Sequence, residues 1–228
     1  MIKDRLYILA DPAYKEFQAP LIPTVKAERI IGVRIPKLRK LAKELSGTEE
    51  AATFIKSLPH ATYDEDNLHA FLVEKIDDLD TAIYETERFL PYVDNWATCD
   101  SFNPKVFAKS PEKLLPKIKE WITAEHEYTV RYAIKLLMTY FLDERFDKEL
   151  MELVASVKRE EYYIKMMVAW YFATALAKQY GHALEILKSG TLSEWVHNKA
   201  ITKAIESYRI SDGIKRILKP LKKKTLYK

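Results

Sequence analysis

In the segment Tyr92-Val93-Asp94-Asn95-Trp96-Ala97-Thr98-Cys99-Asp100-Ser101-Phe102, Trp96 and Asp100 stand four residues apart. On a helix that spacing puts an indole and a carboxylate on one face. The carboxylate is suited to stabilising positive charge or holding a water, and the indole offers a flat, electron-rich face. The plainer alternative packs Trp96 and leaves Asp100 solvated or capping. Two more residues fall in phase: Arg131 lies 35 residues beyond Trp96, and Trp170 lies 39 beyond Arg131. A repeat of that length places Trp96, Arg131 and Trp170 on equivalent faces of successive units, with Asp100 beside them. Two aromatic faces, a carboxylate and a guanidinium suit a sugar-phosphate ligand. A salt bridge to Glu127 remains the alternative for Arg131, and a core position the alternative for Trp170.

Helices must position these residues. Asp11-Pro12 and Ser110-Pro111 each offer a capping side chain followed by proline at the first helical position. Thr62 and Glu65 have capping-box spacing and open Tyr63–Ile76. Asp80 is expected to cap the stretch through Val93, Gly181 to stop a long helix Glu160–Tyr180, and Ser211 to cap a last helix ended by Pro220. Ile134, Leu137, Met138 and Phe141 share one helical face, and Ile164, Met167, Val168 and Phe172 another. About ten to twelve helices joined by short turns are expected, with no strand alternation. The pairs recur with a period of about 35 to 40 residues, which points to an α-α superhelix of HEAT-like repeats. The expected fold is therefore all-α, one curved solenoid domain over 1–228, with a divergent segment at 1–30 and a basic tail at 219–228.

Composition agrees. Only 5 of 228 residues are glycine, too few for the tight turns of sandwiches, barrels or parallel sheets. Hydrophobic residues make up 48%, enough for a full core. The lone cysteine, Cys99, excludes a disulfide framework and a thiolate zinc site within one chain. No glycine-rich phosphate loop or HExxH is present, and His60, His69, His126, His182 and His197 lack metal spacing, so neither a metal nor an organic cofactor is expected. No apolar stretch is long enough for a secretory signal or a membrane span, so a cytoplasmic, membrane-free monomer is expected. Net charge is +4, with Lys219, Lys222, Lys223, Lys224 and Lys228 in the tail, which permits a nucleic-acid partner without demanding one.

From about Ile31 to Lys224 the sequence resembles the AlkD-like bacterial DNA alkylation repair glycosylases, which have a HEAT-like fold. The resemblance is carried by Gly32-Val33-Arg34-Ile35-Pro36, NWATCDSF, VRYAIKLL, YIKMMVAWYF and NKAITKAI. Trp96 and Asp100 look like the family's catalytic pair, Arg131 like its functional arginine and Trp170 like its second tryptophan. The resemblance implies hydrolysis of the bond between deoxyribose and a purine alkylated at a ring nitrogen, such as 3-methyladenine or 7-methylguanine, in double-stranded DNA and without base flipping. Such a base already carries positive charge and leaves neutral, so no general acid is needed. Asp100 would then stabilise the oxocarbenium-like sugar and position water, Trp96 and Trp170 would pack against the deoxyribose, and Arg131 would hold a phosphate. Lys135, Lys165, Lys199 and Lys203 are further candidates for phosphate contact.

The sequence departs from the family in two places. Pro20 and Pro23 interrupt any long helix in Tyr14–Arg29, so a duplex-gripping helix is expected to be shortened or missing. Tyr171-Phe172-Ala173-Thr174 follows Trp170 where a more basic helix surface is expected. Both count against DNA affinity, and the interrupted N-terminal segment with the modest net charge favours the alternative reading, a non-catalytic HEAT-like paralogue acting as a DNA- or protein-binding scaffold.

Overall fold

A cap read from sequence and a close backbone approach at Gly32 decide how the first third of the chain is held. Asp11 caps the helix that Pro12 opens, accepting from the Tyr14 amide at 3.1 Å. Gly32 sits at φ +94°, and a Cβ there would lie 2.8 Å from the Asp11 carbonyl oxygen and from the Lys15 Cβ. Only glycine fits so close a backbone approach. The computed structural model describes residues 1–223, all-α among those residues, with fourteen α-helices and no strand beyond an isolated bridge between Ala10 and Val33. The chain divides into two compact units, Met1–Leu115 and Pro116–Lys228.

The first unit holds α1 (Ile2–Ile8), α2 (Pro12–Gln18), α3 (Ile35–Leu45), α4 (Glu49–Lys56), α5 (Tyr63–Val73), α6 (Leu79–Phe89) and α7 (Trp96–Ser101). All eleven residues of α5 are buried, and α1, α3, α4, α6 and α7 pack around it. The Thr62–Glu65 capping box is present in full. The expected cap of α6 is corrected: Asp78, not Asp80, accepts from the Thr81 amide at 2.8 Å, so the helix starts two residues sooner.

A buried polar run on α5 is satisfied from outside the helix. Asp64 accepts from the amides of Ile31 at 2.6 Å, Val33 at 2.7 Å and Gly32 at 3.2 Å. Burial pushes its carboxyl up, and those N–H groups pull it back. Asp66 pairs with Arg29 at 2.9 Å, while Arg29 also holds Asp94 and the Ala61 carbonyl. Burial, with Asp94 and Glu65 nearby, still pushes Asp66 up to about 8 against the pull of Arg29. Further along, His69 Nδ1 lies 2.9 Å from His60 Nε2, His60 stacks on Phe54 and His69 on Phe89. Burial holds His60 down at about 4 and His69 at about 3, so both rings are neutral at pH 7.

α8 (Pro111–Trp121) starts at the expected proline and runs through the division between the units. The second unit continues with α9 (Glu127–Tyr140), α10 (Lys148–Ser156), α11 (Tyr162–Lys178), α12 (Tyr180–Ser189), α13 (Glu194–Glu206) and α14 (Asp212–Leu218). α11 packs on both α9 and α13. The expected stop at Gly181 is corrected. The break falls at Gln179, whose backbone leaves helical geometry while its side chain donates to the Leu142 carbonyl. Gly181 then lies inside α12, and Gly190 in the left-handed region ends that helix. Ser211 caps α14 as expected, and Pro220 falls in the 3₁₀ turn Lys219–Leu221 that follows it. Of the basic tail, Lys224 and Lys228 lie outside the described residues. Lys223 is tied by its amide and carbonyl to the Asn198 side chain.

Two consequences are measurable. Gly32→Ala should lower stability by about 2–3 kcal/mol, from backbone strain and the Cβ collision, seen as a shifted urea midpoint; an unmoved midpoint would contradict the tight approach. The histidine pair gives a pH signature. Its folded pKa values lie below the unfolded 6.5, so the unfolded chain binds protons first as pH falls. Stability from the pair is complete above about pH 6.5 and drains as pH drops towards 4. The double variant His60→Phe/His69→Phe should flatten the stability–pH slope in that window, measured by urea denaturation at successive pH values.

Candidate functional site

Helix α7 is only six residues long and needs outside support. Its N-cap, Asn95, is fully buried and accepts from the Thr98 amide at 2.8 Å. The Asn95 amide nitrogen donates to Thr98 Oγ1 at 3.0 Å, and that hydroxyl donates on to Asn67 of α5 at 3.2 Å. Asp94, one residue earlier, is gripped by Arg29. At the other end Arg39 donates to the Ser101 carbonyl at 3.2 Å and to Glu74 at 2.6 Å, while Glu74 accepts from the Asn103 amide at 2.9 Å. The short helix is thus clamped at both termini.

Trp96 and Asp100 share the face that this clamp orients, and both are part-exposed. The Trp96 indole N–H donates to the Leu21 carbonyl at 2.9 Å. Its ring packs against the cluster of Ile22, Val25, Ile30 and Tyr63. The segment interrupted by Pro20 and Pro23 therefore supplies the wall behind Trp96. The interruption itself is as expected: α2 ends at Gln18, and 3₁₀ turns follow at Ala19–Leu21 and Ala27–Arg29.

In the second unit Trp170 is 40% exposed on α11, and Lys203 of α13 places its ammonium 5.9 Å from the centre of that ring. Lys199 lies one turn before Lys203 on the same helix, and both are part-exposed. Desolvation and the positive charges of Lys199 and Arg131 lower the Lys203 pKa, with Glu206 pulling the other way. Arg131 is only 3% exposed and donates to the Tyr163 carbonyl at 2.7 Å. Glu127, one turn earlier on α9, accepts from the Tyr163 amide at 3.1 Å. Together the two residues fix the start of α11 against α9. Lys135 is buried, with its ammonium 5.1 Å from the Tyr132 ring centre. Lys165 pairs with Glu160 at 3.0 Å and lies over Trp195.

The structure thus sets Trp96 and Asp100 one turn apart on α7 in the first unit, and in the second it sets Trp170 beside Lys203, which feels the charges of Lys199 and Arg131. It sets Lys165 beside a different tryptophan. The apolar residues after Trp170 also find their reason. Tyr171 and Phe172 are core, and the cations beside Trp170 come from α13. Sequence reasoning missed Asn67, Arg29, Arg39 and Glu74 as positioning residues, and Thr174, Glu206, Ser207 and Arg209, which line a groove of about 320 Å³ beside Trp170. Asn95 was readable, since Asn directly before a short helical stretch is a capping signal.

An all-α stack of packed helices, with tryptophans left accessible on α7 and on α11, is the architecture of a helical-repeat protein. The chain matches the family described as DNA alkylation repair enzyme over residues 2–203 and belongs to that family, as the resemblance to its AlkD-like members implied. No curated protein sequence matches it. Among the described residues no helix is long and apolar enough to cross a membrane, and no group of three or more His, Cys, Asp or Glu could hold a metal ion.

The clamp on α7 can be tested directly. Asn95→Ala removes an N-cap and leaves the Thr98 hydroxyl short of a buried partner, which should lower stability by about 1–3 kcal/mol in urea denaturation. A change within about 0.5 kcal/mol would mean that α7 does not depend on its cap.

Proposed function

We propose that the chain is a DNA glycosylase that hydrolyses the N-glycosidic bond of positively charged N-alkylated purines, 3-methyladenine and 7-methylguanine, in duplex DNA, acting as a monomer and leaving the base in the stack. The observation that carries this reading is the clamped α7, which fixes an aspartate beside a tryptophan whose own N–H is already committed to Leu21. With that N–H occupied, the ring face is what Trp96 has to offer a sugar. Asp100 is the proposed electrostatic partner of the oxocarbenium-like deoxyribose and the holder of the attacking water. The cationic base needs no proton to leave, so a single carboxylate is enough.

Trp170 is the second proposed sugar contact, with Lys199 and Lys203 beside it for backbone phosphates. Arg131 adds its positive charge, which is felt at Lys203. Lys135 and Lys165 are proposed as further cations of this surface, more weakly placed because each is already engaged with an aromatic ring. The burial of Arg131 and Lys135 is also the observation that favours the second reading, a non-catalytic scaffold, because a buried cation makes no forked contact with a phosphate.

Purified protein should release 7-methylguanine from methylated duplex DNA, and Asp100→Asn should slow release by about 100- to 1,000-fold while leaving duplex affinity within a few-fold. Absence of release by the wild type at high enzyme concentration would rule the reading out. Duplex affinity should fall steeply between 50 and 200 mM salt, by roughly tenfold or more if several phosphates are neutralised. A scaffold for proteins would show no such slope.

A further inference from the structure

The groove beside Trp170 is built by residue size. On α11, Trp170, Ala173, Thr174 and Ala177 fall on one helical face, so a large ring is followed by three small side chains. Across from them α13 brings Lys203 and Glu206, and the turn after it brings Ser207 and Arg209. The result is a groove of about 320 Å³ within the second unit, with an aromatic wall, a primary amine over that wall, a carboxylate and an exposed guanidinium. Its volume suits one deoxyribose and a flanking phosphate. The Lys203 amine lies over the Trp170 ring, part-withdrawn from solvent and within the fields of Lys199, Arg131 and Glu206.

We propose that Lys203 is a Schiff-base nucleophile toward abasic deoxyribose in duplex DNA, giving the chain a strand-cleaving lyase activity. The proposal rests on the reading of the chain as a DNA glycosylase only in taking duplex DNA as the ligand; the substrate is the abasic product of base release, from whatever source. Its aldehyde form exposes C1′. The neutral Lys203 amine attacks C1′, the carbonyl oxygen leaves as water, and a protonated imine joins Nζ to C1′. The imine draws electrons from the C2′–H bond; Glu206, the carboxylate of the groove, takes that proton. As the C2′–C3′ double bond forms, the C3′–O bond breaks and the 3′ phosphate departs with its electron pair. Water then hydrolyses the imine, returning the amine and leaving an unsaturated aldehyde on the nicked strand. No oxidant, metal or further reactant is consumed. Trp170 supplies the face for the sugar, and Arg209 the fixed charge for the phosphate at the groove mouth. The crowding by Lys199 and Arg131, with desolvation, favours the neutral amine that the first step needs.

A duplex carrying one abasic site, prepared beforehand with an unrelated glycosylase, makes the test independent of base release. Incubation of the full chain with this duplex and sodium cyanoborohydride should trap a covalent protein–DNA adduct on a denaturing gel, and peptide mapping should place it on Lys203. Without the reductant the strand should be nicked on the 3′ side of the site. Lys203→Arg keeps the positive charge but cannot form the imine, so its adduct should disappear. No adduct from the wild type, or an adduct mapped to another amine, overturns the proposal, and mapping of the wild type decides this even if the variant folds poorly. Release of 7-methylguanine without trapping would remove the lyase and leave the glycosylase reading intact; trapping without release would do the reverse.

Discussion

Helix α5 carries two aspartates and an asparagine into an interior with no water to solvate them, and most of the first unit is arranged to answer that demand. A buried carboxylate without partners is far more costly than the fold can absorb. Asp64 is answered by backbone amides of residues 31–33, Asp66 by Arg29, and Asn67 by Thr98. Each partner lies some thirty residues away in sequence, so each bond sets the position of a distant segment. The amide bonds fix the segment that leads into α3. The arginine reaches on to Asp94 and the threonine belongs to α7, so the helix that presents Trp96 and Asp100 is placed by the polar needs of another helix. Apolar packing alone would tolerate small slides and rotations of α7, whereas directed bonds to a buried helix do not.

The second unit reaches a related result by other means. There the backbone of Tyr163 is held by its amide and its carbonyl, through Glu127 and Arg131 one turn apart on α9. Two side chains at helical spacing grip one residue of the neighbouring helix, which sets the register of α11 and with it the direction of Trp170. An arginine read from sequence as a phosphate ligand is thus found serving the packing of the wall on which the tryptophan stands.

The helices were legible in the sequence where a single local rule decides them. Proline after a capping residue starts α2 and α8, and Thr62 with Glu65 opens α5. Those signals sit within four residues of their effect. The errors arose where two nearby residues competed for one role, as with Asp78 and Asp80, or where a side-chain bond at Gln179 overrode a glycine two residues on. Of the candidate site, residue types and spacing pointed to Trp96, Asp100 and Trp170, none of which is buried. They did not give the burial of Arg131, because burial depends on what a carbonyl 32 residues away requires. The polar run of α5 reads by composition like a solvated face. Its partners at Ile31 to Val33 carry no side-chain signal, since it is their backbone that binds.

That last feature has a kinetic side. The amides of Ile31, Gly32 and Val33 belong to the segment connecting α2 to α3, and connecting segments ordinarily trade their hydrogens with solvent within local fluctuations. Here the acceptor is a carboxylate on a fully buried helix, so these hydrogens are released only when α5 itself loosens. A connecting segment is thereby enrolled in the same cooperative unit as the core. Proteases that nick exposed connecting segments, and insertions that such segments usually tolerate, meet resistance at this one.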